Sequence, residues 1–285
     1  MAMTANELYL NIRKRLKEAD IAAYELEAKE LCAFACGLEK RHYLEWGYIF
    51  IAQETERKAW ELVRERLMGK PIAYIIGEWD FYGYTFQITP DVLVPRSDTE
   101  SLCRLAVERA KDILNPRVLD VCTGSGCIGI AIAREVEDAK VTGVDVSEAA
   151  LAVARENARR NRVESRFIAL QDNALGPYNE RLGQFHILVS NPPYISKEEM
   201  VTLDTDVIKY EPHLALYGGE DGLDFYRSIA GNWKDALLYS GMLLLECGYR
   251  QATQVAAILE ENAYHNIQIL EDLSGVPRIV TGMSL

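Results

Sequence analysis

The sequence lacks long apolar runs, a secretory leader and any metal-binding pattern of cysteine or histidine. No apolar run approaches membrane-spanning length, and residues 1–10 have no basic stretch followed by an apolar core. The 6 cysteines and 4 histidines show none of the pairings of a zinc site. Cys32 and Cys36 share a predicted helix face, where Leu31 and Phe34 favour packing. We expect a cytoplasmic protein with reduced thiols and no metal ion.

An excess of positive charge is also missing. The formal net charge is -12 and the isoelectric point is near 5.0. Long nucleic-acid backbones are bound largely through neutralised phosphates, so this balance argues against such a partner. The local cluster of Arg155, Arg159, Arg160 and Arg162 includes Glu156 and is typical of a solvated helix surface. We therefore expect no direct nucleic-acid binding and no association with a membrane.

The first part of the chain has helical periodicity. Apolar side chains recur at three- and four-residue spacing over residues 8–16, 26–34 and 60–67. This spacing predicts a small helical bundle, to which we assign residues 1–70.

A change of composition follows Gly69-Lys70-Pro71. Residues 79–88 (WDFYGYTFQI) are rich in aromatic side chains and contain a glycine, a pattern that predicts a β-hairpin. We assign residues 71–95 to this hairpin and expect it to link two domains.

From about residue 96 to the end, short apolar runs alternate with helical segments. The runs are residues 118–121, 141–144, 167–170, 185–189 and 242–245. Such alternation predicts an α/β fold, a Rossmann-like and mostly parallel sheet covered by helices. Ligands of these folds bind beyond the carboxyl ends of the strands. Residues 96–285 are therefore expected to form the ligand-binding domain.

A glycine-rich turn follows the first of these runs. The segment Asp120-Val-Cys-Thr-Gly124-Ser-Gly126-Cys-Ile-Gly129 predicts a strand, a turn and a helix, and it satisfies the dinucleotide pattern G-x-G-x-x-G. Asp145 ends the next run, where an acidic side chain can bind the ribose of a nucleotide cofactor. Alternatively, Asp145 lies beside Ser147 at a helix N-terminus. The turn alone does not distinguish a nicotinamide dinucleotide from S-adenosylmethionine.

The residues Asn191-Pro192-Pro193-Tyr194 directly follow the run at 185–189. The Asn191 side chain and the Pro192 backbone carbonyl each offer an acceptor to an incoming NH2 group. The prolines stiffen the loop, and Tyr194 offers a flat face for stacking. The pattern indicates a holder for a planar amide or amine nitrogen, with a simple strand-to-loop stop as the alternative. Its position at the same sheet edge as the glycine turn favours methyl transfer over hydride transfer.

Together these segments resemble the release-factor glutamine methyltransferases, the PrmC or HemK family, which methylate the glutamine amide of a Gly-Gly-Gln loop. The resemblance covers nearly the whole chain. Its segments are Pro71 to Gly77, Phe81-Tyr82-Gly83, Leu93 to Glu100, Thr123 to Gly126, Asn191 to Ile195, Glu211-Pro212 and Gly218 to Leu223. Asn-Pro-Pro-Tyr alone is shared with adenine methyltransferases, so the combination carries the resemblance.

The resemblance implies S-adenosylmethionine as the cofactor and peptide-chain release factors as the substrate. It places the methionine part of the cofactor against five residues of the turn, namely Cys122, Thr123, Gly124, Ser125 and Gly126. It places the ribose at Asp145 and the adenine beside Asp172 and Asn173. Relatives often carry an aromatic residue at position 173, so the residue that stacks on adenine stays open. The helical N-terminal domain is implied to recognise the substrate.

Two further assignments keep alternatives. Arg96 either supports the cofactor carboxylate or pins the hairpin through Asp98 and Glu100. The acidic residues after the Asn191 loop either receive a basic partner or form a solvated loop; they are Glu198, Glu199, Asp204, Asp206 and Glu211.

Chemically, an amide nitrogen is a poor nucleophile because its lone pair is delocalised. We expect Asn191, at the boundary of the cofactor and substrate sites, to accept one amide hydrogen and the Pro192 carbonyl the other, aiming the nitrogen at the sulfonium methyl. Two other functions compete with this one. An adenine methyltransferase acting on nucleic acid would require an extruded base and a basic surface. A nicotinamide-dependent oxidoreductase would leave the Asn191 loop without an evident role.

Overall fold

The computed structural model describes residues 3–285, so Met1 and Ala2, the start of the predicted N-terminal domain, lie outside the described residues. The chain divides into two compact units, Met1–Gly77 and Glu78–Leu285. The division falls inside residues 71–95, the stretch that the sequence assigns to a linker.

The first unit is helical. Thr4 begins the first helix with a capping box, in which its hydroxyl accepts from Glu7 N and the Glu7 carboxylate accepts from Thr4 N. Gly37 ends the second helix in the left-handed conformation, at φ 64°. The helices are α1 (Ala5–Glu18), α2 (Tyr24–Cys36), a 3₁₀ helix (Lys40–Tyr48), α3 (Gln53–Leu67) and α4 (Ile72–Ile76).

The core of this unit follows the predicted periodicity on α1 but not on α2. Leu8, Ile12 and Leu16 are fully buried. On α2 the expected face is wrong, because Leu26 and Phe34 are 51% and 38% exposed. Its buried face carries mostly small side chains, namely Ala28, Leu31, Cys32 and Ala35. The Cys32 thiol lies 3.3 Å from the Ala5 carbonyl oxygen, which is a packing position in the core.

The second unit begins with the predicted hairpin, formed by β1 (Glu78–Phe81) and β2 (Tyr84–Gln87). Tyr82 and Gly83 both have positive φ, 52° and 78°, as a two-residue hairpin turn requires. Tyr82 N donates to Glu100 Oε1 at 2.9 Å, which ties the turn to the helix that contains Glu100.

The rest of the unit is a 7-stranded sheet with strand order β5-β4-β3-β6-β7-β9-β8. β9 pairs antiparallel with β7 and with β8, and the other pairs are parallel. The strands are β3 (Arg117–Val121), β4 (Lys140–Asp145), β5 (Phe167–Gln171), β6 (Phe185–Ser190), β7 (Leu237–Glu246), β8 (His265–Glu271) and β9 (Pro277–Met283). The sheet confirms the predicted α/β fold.

The helices of this unit precede or connect the strands of the sheet along the chain. They are α5 (Thr99–Lys111), α6 (Cys127–Glu135), α7 (Glu148–Arg160), α8 (Lys197–Met200), α9 (Thr205–Tyr210), α10 (Asp224–Asn232) and α11 (Ala252–Glu261). All five predicted runs are strands, whereas β8 and β9 carry no run that the sequence singled out. β8 is mostly exposed and β9 contains Pro277 and Gly282, so neither has the continuous apolar pattern of a central strand.

The register of the central strands brings three loops to one edge. Val121, the last residue of β3, pairs with Val144 of β4 on one side and with Ser190 of β6 on the other. The segments that follow these residues therefore emerge side by side. In the described part of the chain, no helix is long and apolar enough to cross a membrane.

Candidate active site

A cavity of about 330 Å³ lies at the carboxyl ends of β3, β4, β5 and β6, a volume suited to a small ligand. Its lining includes nine residues that the sequence singled out, namely Cys122, Thr123, Gly124, Ser125, Asp145, Asp172, Asn173, Asn191 and Pro193. We call Cys122 to Ser125 the glycine wall. We call the loop Asn191-Pro192-Pro193, which meets the cavity through Asn191 and Pro193, the asparagine wall. Gly126, Pro192 and Tyr194 lie outside the lining.

The glycine wall is backbone held in unusual conformations. Cys122 and Gly124 have φ of 61° and 53°, and Thr123 N donates to Val144 O at 3.0 Å. A Cβ on Gly124 would meet no atom within 4 Å, so a ligand can approach the backbone there. A Cβ on Gly126 would lie 2.8 Å from the side chain of Ile130. Gly126 therefore serves the packing of the turn.

Asp120, a buried residue of β3, stabilises the turn that follows this strand. Its Oδ2 accepts from the Thr123 hydroxyl at 2.6 Å and from Gly129 N at 3.0 Å. Within residues 3–285, Oδ1 has no hydrogen-bond partner. Burial raises the pKa of Asp120 to about 7, with the hydrogen bonds from Thr123 and Gly129 opposing the rise. The sequence alone did not indicate a separate role for Asp120.

Asp145 lies beside Ser147 at the start of α7, which is one of the two alternatives from the sequence, and it also lines the cavity. Its Oδ2 accepts from Gly124 N and its Oδ1 from Ser147 N, both at 3.0 Å. Ser147 in turn caps α7 by accepting from Ala150 N at 3.2 Å. Burial raises the pKa of Asp145. The carboxylate thus braces the glycine wall and also lines the cavity, where its remaining lone pairs can accept from hydroxyl groups.

The rest of the cavity lining contains both polar and apolar side chains. Asp172 Oδ2 is buried and has no hydrogen-bond partner in the part of the chain that the structure describes. Asn173 is exposed and its side chain accepts from Leu175 N at 3.0 Å. Val146, Leu175 and Phe225 add apolar surface to the lining, which suits a flat base.

The sequence alone did not assign these apolar residues to the site, nor several others in the lining, namely Asp91, Val92, Leu93, Pro212, Leu214 and Ala215. Leu93 and Pro212 belong to segments that carried the family resemblance. No local signal marks Phe225, which lies on α10.

The Asn191 side chain is oriented by Thr99, the first residue of α5. Its Nδ2 donates to the Thr99 hydroxyl at 3.1 Å. Among residues 3–285 nothing donates to Asn191 Oδ1 or to the Pro192 carbonyl oxygen. These two acceptors are the ones that the sequence assigned to an incoming NH2 group, and they belong to consecutive residues.

Tyr194 packs against the hydrophobic core of the sheet instead of lining the cavity. Burial raises its pKa to about 12. Its backbone oxygen accepts from the Gln251 side chain at 3.0 Å, which fixes the end of the loop. The ring therefore packs on the core side of the loop and does not face the cavity.

Arg96 adopts neither of the two arrangements considered from the sequence. It pairs with Glu211, Nη2 to Oε1 at 2.5 Å, and it does not line the cavity. Of the two nearby acids, Glu100 bonds to the hairpin turn, while Asp98 pairs with Arg278 at 3.2 Å. Glu211 is buried, so the expectation that it belongs to a solvated or docking loop is wrong. Glu198, Glu199 and Asp204 are exposed.

The thiols and acids of the chain do not gather into a metal site. Within residues 3–285, no group of 3 or more histidine, cysteine, aspartate or glutamate side chains is arranged to hold a metal ion. The 6 cysteines are free thiols.

The strand order, the glycine wall after β3, the acid at the end of β4 and the Asn191 loop after β6 define a class I, S-adenosylmethionine-dependent methyltransferase. The family model of the methyltransferase small domain matches residues 98–219, and that of the PrmC N-terminal domain matches residues 7–77.

Similar proteins identify the family of this chain within the class of methyltransferases. The release factor glutamine methyltransferase of Fusobacterium nucleatum is 39% identical over 232 residues, 81% of this chain and 65% of that protein. The one of Koribacter versatilis is 34% identical over 281 residues, 98% of each. A release factor-specific protein-(glutamine-N5) methyltransferase structure from Alicyclobacillus acidocaldarius is 31% identical, with a TM-score of 0.43, and the match covers 70% of this chain and 98% of that one. The chain belongs to the release factor glutamine methyltransferase family. This membership confirms the resemblance that the sequence motifs indicated.

Proposed function

We propose that this protein transfers a methyl group from S-adenosylmethionine to the side-chain amide nitrogen of the glutamine in the Gly-Gly-Gln motif of peptide-chain release factors. The observation that carries the proposal is the pair of acceptors at Asn191 Oδ1 and the Pro192 carbonyl, beside a cavity that also contains the glycine wall. Family membership supports the choice of substrate and decides against the adenine and nicotinamide alternatives.

The lining fits the cofactor. Gly124 leaves open space beside its backbone, where the methionine part of the cofactor can approach. Asp145 offers carboxylate acceptors to the ribose hydroxyls, and the orphan Asp172 Oδ2 can accept from an amino group. Val146, Leu175 and Phe225 provide the apolar surface that Asn173 does not, so we propose them as the neighbours of adenine. When bound, S-adenosylmethionine supplies a methyl group on a positively charged sulfur.

The asparagine wall holds the nucleophile. A glutamine amide nitrogen carries two hydrogens, and Asn191 Oδ1 and the Pro192 carbonyl each accept one. Two acceptors fix the plane of the amide and increase the electron density on its nitrogen, which compensates for its weak nucleophilicity. Pro192 and Pro193 keep the loop stiff, and Tyr194 supports it from the core side.

The remaining parts of the chain have roles in the same proposal. Residues 1–70 recognise the release factor, and they expose large apolar side chains, Leu44, Tyr48 and Phe50. Residues 71–95 connect this domain to the methyltransferase domain of residues 96–285. The protein is cytoplasmic, in keeping with its free thiols.

Transfer of a labelled methyl group tests the proposal. The purified protein is incubated with labelled S-adenosylmethionine and an intact release factor, a Gly-Gly-Ala version of that factor, or duplex DNA. We expect label on the intact factor alone. Label on DNA, or equal label on both versions of the factor, would overturn the proposed substrate. Stabilisation by NAD but not by S-adenosylmethionine in thermal unfolding would overturn the proposed cofactor.

A further inference from the structure

Asn157, a residue of α7, is fully buried and bonds to the glycine wall from outside the cavity. Its Oδ1 accepts from Gln87 N at 2.6 Å. Its Nδ2 donates to Gln87 O at 3.0 Å and to Ser125 O at 2.9 Å. Asn157 does not itself line the cavity. One side chain therefore links the last residue of β2 to the last residue of the glycine wall.

The backbone groups around Asn157 fix the orientation of its amide. Gln87 N is a donor and requires the side-chain oxygen, whereas the carbonyl oxygens of Gln87 and Ser125 are acceptors and require the NH2 group. Both Nδ2 hydrogens and the oxygen are then in use. Breaking any of these bonds would leave a buried polar group without a partner, so the amide holds its partners firmly in place.

The two residues that Asn157 links lead to different sides of the cavity. Ser125 lines the cavity itself and is 3% exposed. Gln87 precedes residues 91–93, three further residues of the lining, by only a short segment in which Ile88 is buried. The bonds of Asn157 therefore fix the distance between the glycine wall and residues 91–93.

We propose that Asn157 is a positioning residue for the cofactor, which fixes the Ser125 carbonyl and so holds the glycine wall at the distance from residues 91–93 that S-adenosylmethionine requires. This inference rests on the proposed function, which places the cofactor against the glycine wall. Asn157 acts through Ser125, since it does not line the cavity. Its loss should therefore change cofactor affinity more than turnover at saturating cofactor.

Asn157→Ala is the main test. We expect the dissociation constant for S-adenosylmethionine, measured by calorimetric titration, to rise about tenfold, on the scale of one lost buried hydrogen bond. Turnover at saturating cofactor should stay within about twofold of the wild type. A purely structural role would lower the unfolding midpoint and leave the dissociation constant unchanged, and that result would overturn the inference.

Amide hydrogen exchange without cofactor tests the positioning directly. Thr123 N donates to Val144 O at 3.0 Å and Gly126 N donates to Thr123 O at 2.8 Å, so exchange at these two amides reports opening of the turn. We expect both to exchange roughly tenfold faster in Asn157→Ala than in the wild type. Exchange at the wild-type rate would contradict the inference, because the glycine wall would then keep its place without Asn157.

Asn161→Ala is the matched control, one helical turn after Asn157 at the end of α7. Asn161 Nδ2 donates to Thr85 O at 3.2 Å, so this residue also binds β2. Within residues 3–285 it makes no hydrogen bond to the glycine wall. Its loss should leave the dissociation constant within about twofold. A rise as large as that of Asn157→Ala would mean that the anchoring of β2, and not the link to Ser125, decides affinity.

Val163→Ala controls for a general loss of stability. Val163 is fully buried just after α7 and lies outside the cavity lining. Its shortening should lower the unfolding midpoint but leave the dissociation constant within about twofold. If it raised that constant as much as Asn157→Ala at a similar fall of the midpoint, affinity would follow stability alone and the inference would be wrong.

Asn157→Asp is the second variant, and it decides the test if Asn157→Ala does not fold. Aspartate keeps the volume and an acceptor for Gln87 N, but it lacks the NH2 group that binds Ser125 O. We expect the dissociation constant to rise about tenfold here as well, and wild-type affinity would overturn the inference. Failure of the wild-type protein to bind S-adenosylmethionine would refute the proposed function itself, a result distinguishable from failure of the variants.

Discussion

The glycine wall and the asparagine wall belong to one cavity but are built in different ways. In the glycine wall, Asp120 accepts from the Thr123 hydroxyl and Asp145 accepts from Gly124 N, across 3 and 21 residues of sequence. The asparagine wall presents one side chain, and its orientation depends on Thr99, 92 residues away in sequence. The glycine wall thus depends on contacts of shorter sequence separation than the contact that orients Asn191. We expect the glycine wall to serve cofactor binding and the asparagine wall to align the substrate.

Asn191→Ala should produce the largest effect that sharpens this comparison. It removes an acceptor for the substrate amide, so we expect kcat to fall roughly 100-fold, as for the loss of one group that stabilises a transition state. Cofactor affinity, measured by calorimetric titration, should change by less than about twofold. An equal loss of affinity and turnover would mean that the two walls do not have separate tasks.

Two glycine variants test whether Gly124 serves cofactor binding while Gly126 serves packing. Gly126→Ala places a Cβ 2.8 Å from Ile130 at φ 80°, so we expect the free energy of unfolding to drop by about 1–3 kcal/mol. Gly124→Ala meets no atom within 4 Å, at φ 53°, and should destabilise the fold less. It should weaken cofactor binding more, because its methyl group enters the open space. Chemical unfolding and calorimetric titration of both variants measure the two effects, and the reverse ranking would contradict these roles.

Asp145→Asn tests the carboxylate that braces the glycine wall. Asparagine keeps only one oxygen acceptor, so it cannot hold Gly124 N and Ser147 N together as Asp145 does. We expect the dissociation constant for S-adenosylmethionine to rise about tenfold, the consequence of losing one hydrogen bond to a charged group. Turnover at saturating cofactor should remain close to that of the wild type. A large loss of kcat at saturation would show that this residue also aligns the substrate.

Asp120 should affect the pH dependence of stability rather than turnover or cofactor affinity. Its pKa is raised by burial from 3.8 to about 7, so between these values the folded protein keeps a proton that the unfolded chain has lost. The free energy of unfolding should therefore fall as pH rises through this window, by at most about 1.4 kcal/mol per pH unit for this group.

Asp120→Asn should flatten that slope, and chemical unfolding at several pH values compares it with the wild type. Burial also raises the pKa of Glu246 to about 7, so part of the slope should remain in the variant. A variant with the same slope as the wild type would contradict a raised pKa at Asp120.

Much of the fold was predictable because its signals are local. The five apolar runs became the five parallel strands β3 to β7, since parallel strands covered by helices carry apolar sequence. The hairpin was predictable from Gly83 among aromatic residues, and the glycine wall from the spacing of its glycines. Gly126 was placed in the correct turn, although its packing role became visible only from the position of Ile130.

The rest required contacts between distant residues. Phe225 reaches the cavity from α10, and nothing in the sequence around it indicates a ligand. Arg96 was expected either at the cofactor carboxylate or beside the nearby acids Asp98 and Glu100, but its partner is Glu211, 115 residues away. Asn157 has no recognisable motif, yet it donates to the Ser125 carbonyl at 2.9 Å and supports the glycine wall. Such roles depend on the packing of whole elements, which periodicity does not specify.

The proposed reaction requires the asparagine wall to present a glutamine amide for methylation. Tandem mass spectrometry of a release factor, after incubation with this protein and S-adenosylmethionine, tests it most directly. We predict a single added methyl group on the side-chain amide of the glutamine in Gly-Gly-Gln. A methyl group on any other residue of the factor, with that glutamine unmodified, would contradict this requirement.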